Sequence, residues 1–166
     1  MLADLEFQHS VQSLLYREAY YLDTGDWDSW LGLFTDDVDY WMPAWVSESE
    51  LATDPEIHLA LIHCEGLEDL EDRVFRIRTE DSLASTPLPR VCHVVGNVLV
   101  LERDKGEARV SAAWTVHQHA SVKGPRVYGG RYEYRLLEVE KGLVVAAKKI
   151  IFLNDAVDVP VDIYNV

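Results

Sequence analysis

A chain of 166 residues, 48% apolar and 27% charged, is long enough for one domain with its own core and too apolar to be disordered. Its 29 acids against 15 bases leave a formal net charge of −14, which argues against nucleic acid and anionic membranes as partners. The two cysteines, Cys64 and Cys92, have no paired spacing, the usage of a reduced, cytoplasmic protein; no secretory leader is apparent, and no apolar run nears the ~20 residues that span a bilayer.

Residues 5–22 read as an amphipathic helix, because Phe7, Val11, Leu14, Leu15, Tyr21 and Leu22 recur near helical spacing. Gly25 suits a left-handed C-cap, and Asp26 can cap a second helix. In that helix Trp27, Trp30, Leu31 and Phe34 form one apolar stripe, and Asp36-Asp37 ends it. Val38, Tyr40 and Met42 then alternate with Asp39 and Trp41 as a strand that Pro43 stops. Residues 46–56 form an acidic loop, 57–63 a short extended segment, and Leu67, Leu70, Val74 and Ile77 mark a third helix. Residues 79–90, with Pro87 and Pro89, read as a loop.

Four long strands follow, over 91–103, 107–121, 127–139 and 143–153. Asp104-Lys105-Gly106 and Glu140-Lys141-Gly142 form hairpin turns between them. Ala108, Val110, Ala112, Trp114 and Val116 share one face of the second of these strands. The run Leu143-Val144-Val145-Ala146-Ala147 is apolar on both faces, which suggests a subunit interface on its outer side. Helices first and an antiparallel meander after give an α+β fold, a curved sheet wrapped around the N-terminal helices as a cone.

Residues suited to chemistry are sparse. His117 and His119 form an H-x-H on one strand face, a two-ligand arrangement with no evident third ligand; Arg109, Ser111 and Thr115 make that face polar and outward. His63 and Cys64 are adjacent, as are Cys92 and His93, so in a strand each pair points to opposite faces. Asp23, Asp39, His58 and His93, with Tyr16, Tyr20 and Tyr40, are candidates to line the cone. There a buried carboxylate would serve as a general base for proton abstraction or dehydration. The competing reading is that the aromatics fill the core. No metal-cluster spacing, nucleophile motif or glycine-rich phosphate loop occurs.

The chain resembles the small (beta) subunit of aromatic-ring-hydroxylating dioxygenases, nearest the benzoate, toluate and anthranilate group. The resemblance rests on YREAYYLD at 16–23, WDSWL at 27–31, DVDYWMPAW at 37–45, LEDRVFRIRTE at 70–80, PRVCHVVGNV at 89–98 and the final VDIYNV. The stretch around 64–70, the loop at 81–89 and Asn165 depart from the family pattern. The resemblance implies a nuclear-transport-factor-like (cystatin-like) cone. It also implies assembly of three small with three large (alpha) subunits, the large one carrying a Rieske iron–sulfur cluster and mononuclear iron fed from NADH through a reductase. Such centres need Cys-x-His and Cys-x-x-His pairs, and this chain has neither. No catalytic, cofactor-binding or metal residue is therefore assigned to it. The alternatives are a stand-alone cone isomerase or dehydratase using Asp23 or Asp39 with a histidine, and a small-ligand-binding module. Trp41, Met42 and Trp45 are expected near the large-subunit contact.

Overall fold

Tight glycine turns set the sheet. The computed structural model describes residues 2–79, 87–121, 123–154 and 160–166. At Lys105-Gly106 both residues take positive φ (48° and 81°), the backbone of a two-residue hairpin whose twist matches its strands. It joins β3 (Arg90–Asp104) to β4 (Glu107–Ala120); β5 (Gly124–Val139) and β6 (Gly142–Phe152) continue the antiparallel meander. β1 (Phe34–Pro43) runs parallel to β6, and β2 (Ala60–Glu65) is antiparallel to β1. The six-stranded order is β2-β1-β6-β5-β4-β3. Bulges in β3 between Gly96 and Leu99, and in β6 at Ala146, opposite Arg135 and Leu136, bend the strands.

Helix α1 (Leu2–Thr24) lies in the resulting concavity, against β3 and β6. Its stripe Phe7, Val11, Leu14, Leu15 and Leu22 is buried, facing Val110, Trp114, Val116, Leu136 and Ile150 within one core. The same helix covers the open edge of β3. Gln8 Nε2 donates to the Val98 carbonyl at 2.9 Å, and the Asp23 carboxylate accepts from the His93 backbone N–H at 3.0 Å. An edge whose polar groups are so occupied does not recruit another strand there. Helix α3 (Leu67–Arg78) packs Leu70, Val74 and Ile77 on β1 and β2, and a single 3₁₀ turn, Ile163–Asn165, is buried with Tyr164 and Val166 in the core.

Three expectations need correction. The second helix, α2, spans only Trp27–Leu31; Asp26 caps it, accepting from the Ser29 N–H. Phe34 and Asp36-Asp37 belong to β1, because the Leu33 carbonyl accepts from Val145 N at 2.8 Å and strand pairing with β6 overrides helical spacing. Phe34 still meets Trp30 edge-on at 4.8 Å. The short extended segment begins at Ala60 rather than residue 57. The two-sided apolarity of 143–147 has a source within the chain. The β5–β6 irregularity skips Ala146, Val145 and Ala146 are both buried, and Leu143 and Val144 border a groove with Gly32 and Leu33. Most of the loop expected at 79–90 lies at 80–86, outside the described residues.

A methyl group on Gly130 would overlap the Ile151 carbonyl across the β5–β6 pairing and press on the Trp114 indole. Gly130→Ala should cost about 3 kcal/mol or more, read from the denaturant midpoint. The same change at Gly96, where an added methyl meets nothing within 4 Å, serves as the control.

Candidate functional site

Inside the cone, two opposite charges occupy apolar faces. Glu18 continues the buried stripe of α1, one turn from Leu14 and Leu22, and Lys148 alternates with Ile150 and Phe152 on the inner face of β6. Their side chains are 3% and 1% exposed, and Lys148 Nζ donates to Glu18 Oε1 at 2.7 Å. The second carboxylate oxygen accepts from the Tyr134 hydroxyl at 2.7 Å. The ammonium also sits 4.1 Å from the Tyr132 ring centroid, a cation–π contact, and Tyr132 stacks on Trp114 at 5.1 Å. Burial drives the Lys148 amine below its ordinary value, against the opposing pull of Glu18. Burial first, and the Glu18 charge second, drive the hydroxyls of Tyr40, Tyr132 and Tyr134 well above theirs.

Chemically, this cluster is closed. Both carboxylate oxygens are engaged, and the tyrosines are held as phenols. None of these groups is placed to exchange protons with solvent, because each is buried.

A second polar pair lies where α1 ends. Asp23 Oδ1 is 2.6 Å from His93 Nδ1, and the same carboxylate takes the His93 backbone N–H. This arrangement assigns the imidazole proton to Nδ1, leaving the Nε2 lone pair buried and without a partner among the described residues. Sequence reasoning had placed both residues inside the cone, and the fold brings them together.

The other candidates separate. Tyr16 and Tyr20 are 48% and 63% exposed, because they fall on the face of α1 opposite its stripe; they do not line the interior. Asp39 points outward and pairs with His63 Nε2 at 3.2 Å on the outer face of β1–β2. His58 is half-buried in the turn before β2. Cys64 points inward, its Sγ accepting from Arg73 Nε at 3.2 Å, and burial raises its thiol. Arg73 also donates to Asp162 at 3.0 Å, tying α3 to the 3₁₀ turn. His117 and His119 are exposed on the outer face, and Cys92, also exposed, lies opposite His117. Among the described residues no three His, Cys, Asp or Glu side chains form a group that could hold a metal ion.

The tryptophans expected at a partner contact are held by their own chain. Trp41 is 8% exposed, under His63 edge-on at 6.5 Å and with Lys149 Nζ 4.8 Å from its ring. Trp45 donates to the Phe152 carbonyl at 2.7 Å and bridges to Leu51. Met42 is fully buried. Within the single chain Trp41 and Met42 are buried and Trp45 is half-buried.

Glu18 and Lys148 escaped notice in the sequence. The available signal was a charge of each sign at a position of apolar periodicity, Glu18 on the α1 stripe and Lys148 between two inward residues of β6.

Residues 17–159 match the family model described as "Ring hydroxylating beta subunit". The chain is 35% identical over 156 residues, 94% of each protein, to the 2-halobenzoate 1,2-dioxygenase small subunit of Burkholderia cepacia. The fold superposes with a TM-score of 0.77 on the beta subunit of benzoate 1,2-dioxygenase from Burkholderia mallei, 31% identical and covering 94% of this chain and 95% of that one. A putative scytalone dehydratase from Novosphingobium aromaticivorans, 14% identical, shares the cone alone, with a TM-score of 0.70 over 92% of this chain and 88% of that one.

Two outcomes follow from the interior cluster. Glu18→Gln strands an ammonium and Lys148→Met a carboxylate, so each should cost about 3–5 kcal/mol; Glu18→Leu with Lys148→Met should cost far less. Denaturant unfolding of the three variants checks this, and equal costs for the single and double replacements would contradict it. The second outcome concerns alkali. Unfolded tyrosines ionise near pH 10, whereas Tyr40, Tyr132 and Tyr134 stay protonated in the fold. Stability present below about pH 10 is then lost above it, by up to about 1.4 kcal/mol per group per pH unit. Lys148 acts in the opposite sense until about pH 10.4, and three phenols outweigh one amine. Urea midpoints at about pH 9 and about pH 11 should fall with pH, with phenolate absorbance of these three appearing only on unfolding.

Proposed function

The chain belongs to the ring-hydroxylating beta-subunit family, and we propose that it is the small, non-catalytic subunit of a Rieske-type dioxygenase that cis-dihydroxylates an aromatic carboxylate. Its role is to hold the large catalytic subunit in the assembly. The observation that carries this reading is the central ion pair. The charges best placed to do chemistry in the cone are bound to each other and to Tyr134, as a strut between α1 and β6. The benzoate-type assignment draws on relatives named for benzoate and a halogenated benzoate.

The iron centres belong in this reading to the large subunit. The donor set here does not fit them, since no three ligating side chains converge among the described residues, and no step of the reaction is derived through this chain. The large subunit supplies the Rieske cluster and mononuclear iron, with electrons from NADH through a reductase. Three small subunits associate with three large ones in the cytoplasm.

The test is reconstitution. The purified chain should hold only sub-stoichiometric iron and leave aromatic acids unchanged, and co-expression with a large subunit bearing the Rieske motif should give oxygen uptake dependent on an aromatic acid. Isomerase or dehydratase turnover by the chain alone, abolished by His93→Gln, would replace this reading with a stand-alone cone enzyme.

A further inference from the structure

At one end of the cone, two buried polar side chains on neighbouring strands have a polarity fixed by their surroundings. His93 on β3 is the first. Asp23 takes the proton on Nδ1 at 2.6 Å, so Nε2 is an acceptor without a partner among the described residues, in a side chain 1% exposed. Gln118 on β4, also buried, is the second. Its orientation is set from the 3₁₀ turn. The Asp162 backbone N–H donates to Asn165 Oδ1 at 2.8 Å, which directs the Asn165 NH₂ to Gln118 Oε1 at 3.1 Å. With its oxygen so engaged, Gln118 presents its NH₂ as a donor, and that NH₂ makes no hydrogen bond among the described residues.

The register brings the two groups together. His93 lies opposite Val116, and Val91 opposite Gln118, so His93 and Gln118 are diagonal neighbours on the inner face of β3–β4. Such neighbours stand roughly 7–8 Å apart at Cα, a gap that long side chains close. Val116 and Tyr128 continue the His93 row across β4 and β5, and both are buried, so the surroundings are apolar and partly aromatic. Arg126 lies opposite Gln118 on β5 and donates to the Lys123 carbonyl at 3.2 Å. The Asp23 side chain is 23% exposed, which brings solvent to the edge of this corner.

We propose that His93 Nε2 and Gln118 Nε2 form a binding site for a small neutral hydroxyl compound of the phenol type. The ligand hydroxyl donates to the imidazole nitrogen and accepts from the amide, and the ring packs beside Val116 and Tyr128. Polarity selects this class. A carboxylate has no proton to give an imidazole whose own proton is on Nδ1, and it would bring a second negative charge toward Asp23. An ether or a hydrocarbon leaves the buried acceptor unpaired. The central Glu18–Lys148 pair offers no such opening, because both of its carboxylate oxygens are taken. The site turns on Asn165, a position at which the chain departs from the family pattern. It is independent of the assembly proposed above.

Nitrogen NMR of the full chain, labelled at histidine and titrated with phenol, tests it. The His93 Nε2 resonance should move upfield and saturate. Anisole keeps the ring and loses the donor, so it should bind about 10-fold more weakly. Benzoate should leave the resonance in place. Gln118→Leu removes the amide donor. Asn165→Asp puts an acceptor where Asn165 has a donor, so it draws the Gln118 NH₂ to itself and leaves the Asp23–His93 pair intact. Each substitution should weaken phenol binding about 10-fold, with unchanged circular dichroism as the check on folding. A wild-type His93 resonance that phenol does not move overturns the proposal, whichever variants fold. Equal binding of phenol and anisole overturns it too, as does phenol binding indifferent to both substitutions. Crystals soaked in phenol that show only water between the two nitrogens would also sink it.

Discussion

The buried pair Glu18–Lys148 is the constraint around which the cone is arranged. It joins the one long helix to the central part of the sheet, at 1–3% side-chain exposure. Desolvating two charges is costly, and their attraction only offsets that cost when the remaining polar atoms are also satisfied. Tyr134 satisfies the second carboxylate oxygen and Tyr132 faces the ammonium, so a shift of α1 along the sheet would strand charge in a low-dielectric core. The apolar stripe of α1 tolerates sliding by its nature; the ion pair does not. The same registration places Asp23 under His93 and Gln8 under Val98, at the open edge of β3.

This arrangement separates two readings of the cone. A stand-alone enzyme in such a cone would need a carboxylate–imidazole pair, and Asp23–His93 has that form. Here, however, the carboxylate also takes the His93 backbone N–H, an edge-capping bond, and the imidazole is 1% exposed. The pair works as part of the helix-to-edge attachment. The two closures, one at the centre and one at the edge, fix α1 against the sheet.

The surface follows a different logic from the core. Charges on the outer face of β3–β5 pair locally, as in Arg109–Glu102, Arg131–Glu133 and Arg135–Glu107, and exposed pairs of this kind add little stability. The acids are also unevenly spread along the sequence, dense at 65–72 and absent from 108–132. Such a distribution orients approaching partners.

Much of the fold was legible in the sequence because the signals were local. The meander is set by Lys105-Gly106 and the other glycine turns, the face of β4 by strict alternation, and the core side of α1 by helical spacing. The absence of cluster-type Cys–His spacing was legible for the same reason, as was the family resemblance carried by contiguous segments. What tertiary structure decided was pairing at a distance. Phe34 reads as helix by spacing, and only the bond from Val145 N to the Leu33 carbonyl makes it strand. Residues 143–147 read as two-sided, and only the β5–β6 irregularity explains it within one chain. Alternation puts Trp41 on the face of β1 opposite Tyr40, and only the fold shows His63 of β2 and Lys149 against it. Glu18 and Lys148 lie 130 residues apart, so neither reveals the other. Periodicity reports which face of an element a side chain occupies, but the identity of the group opposite it depends on register and curvature, and these are fixed only when the whole sheet closes around the helix.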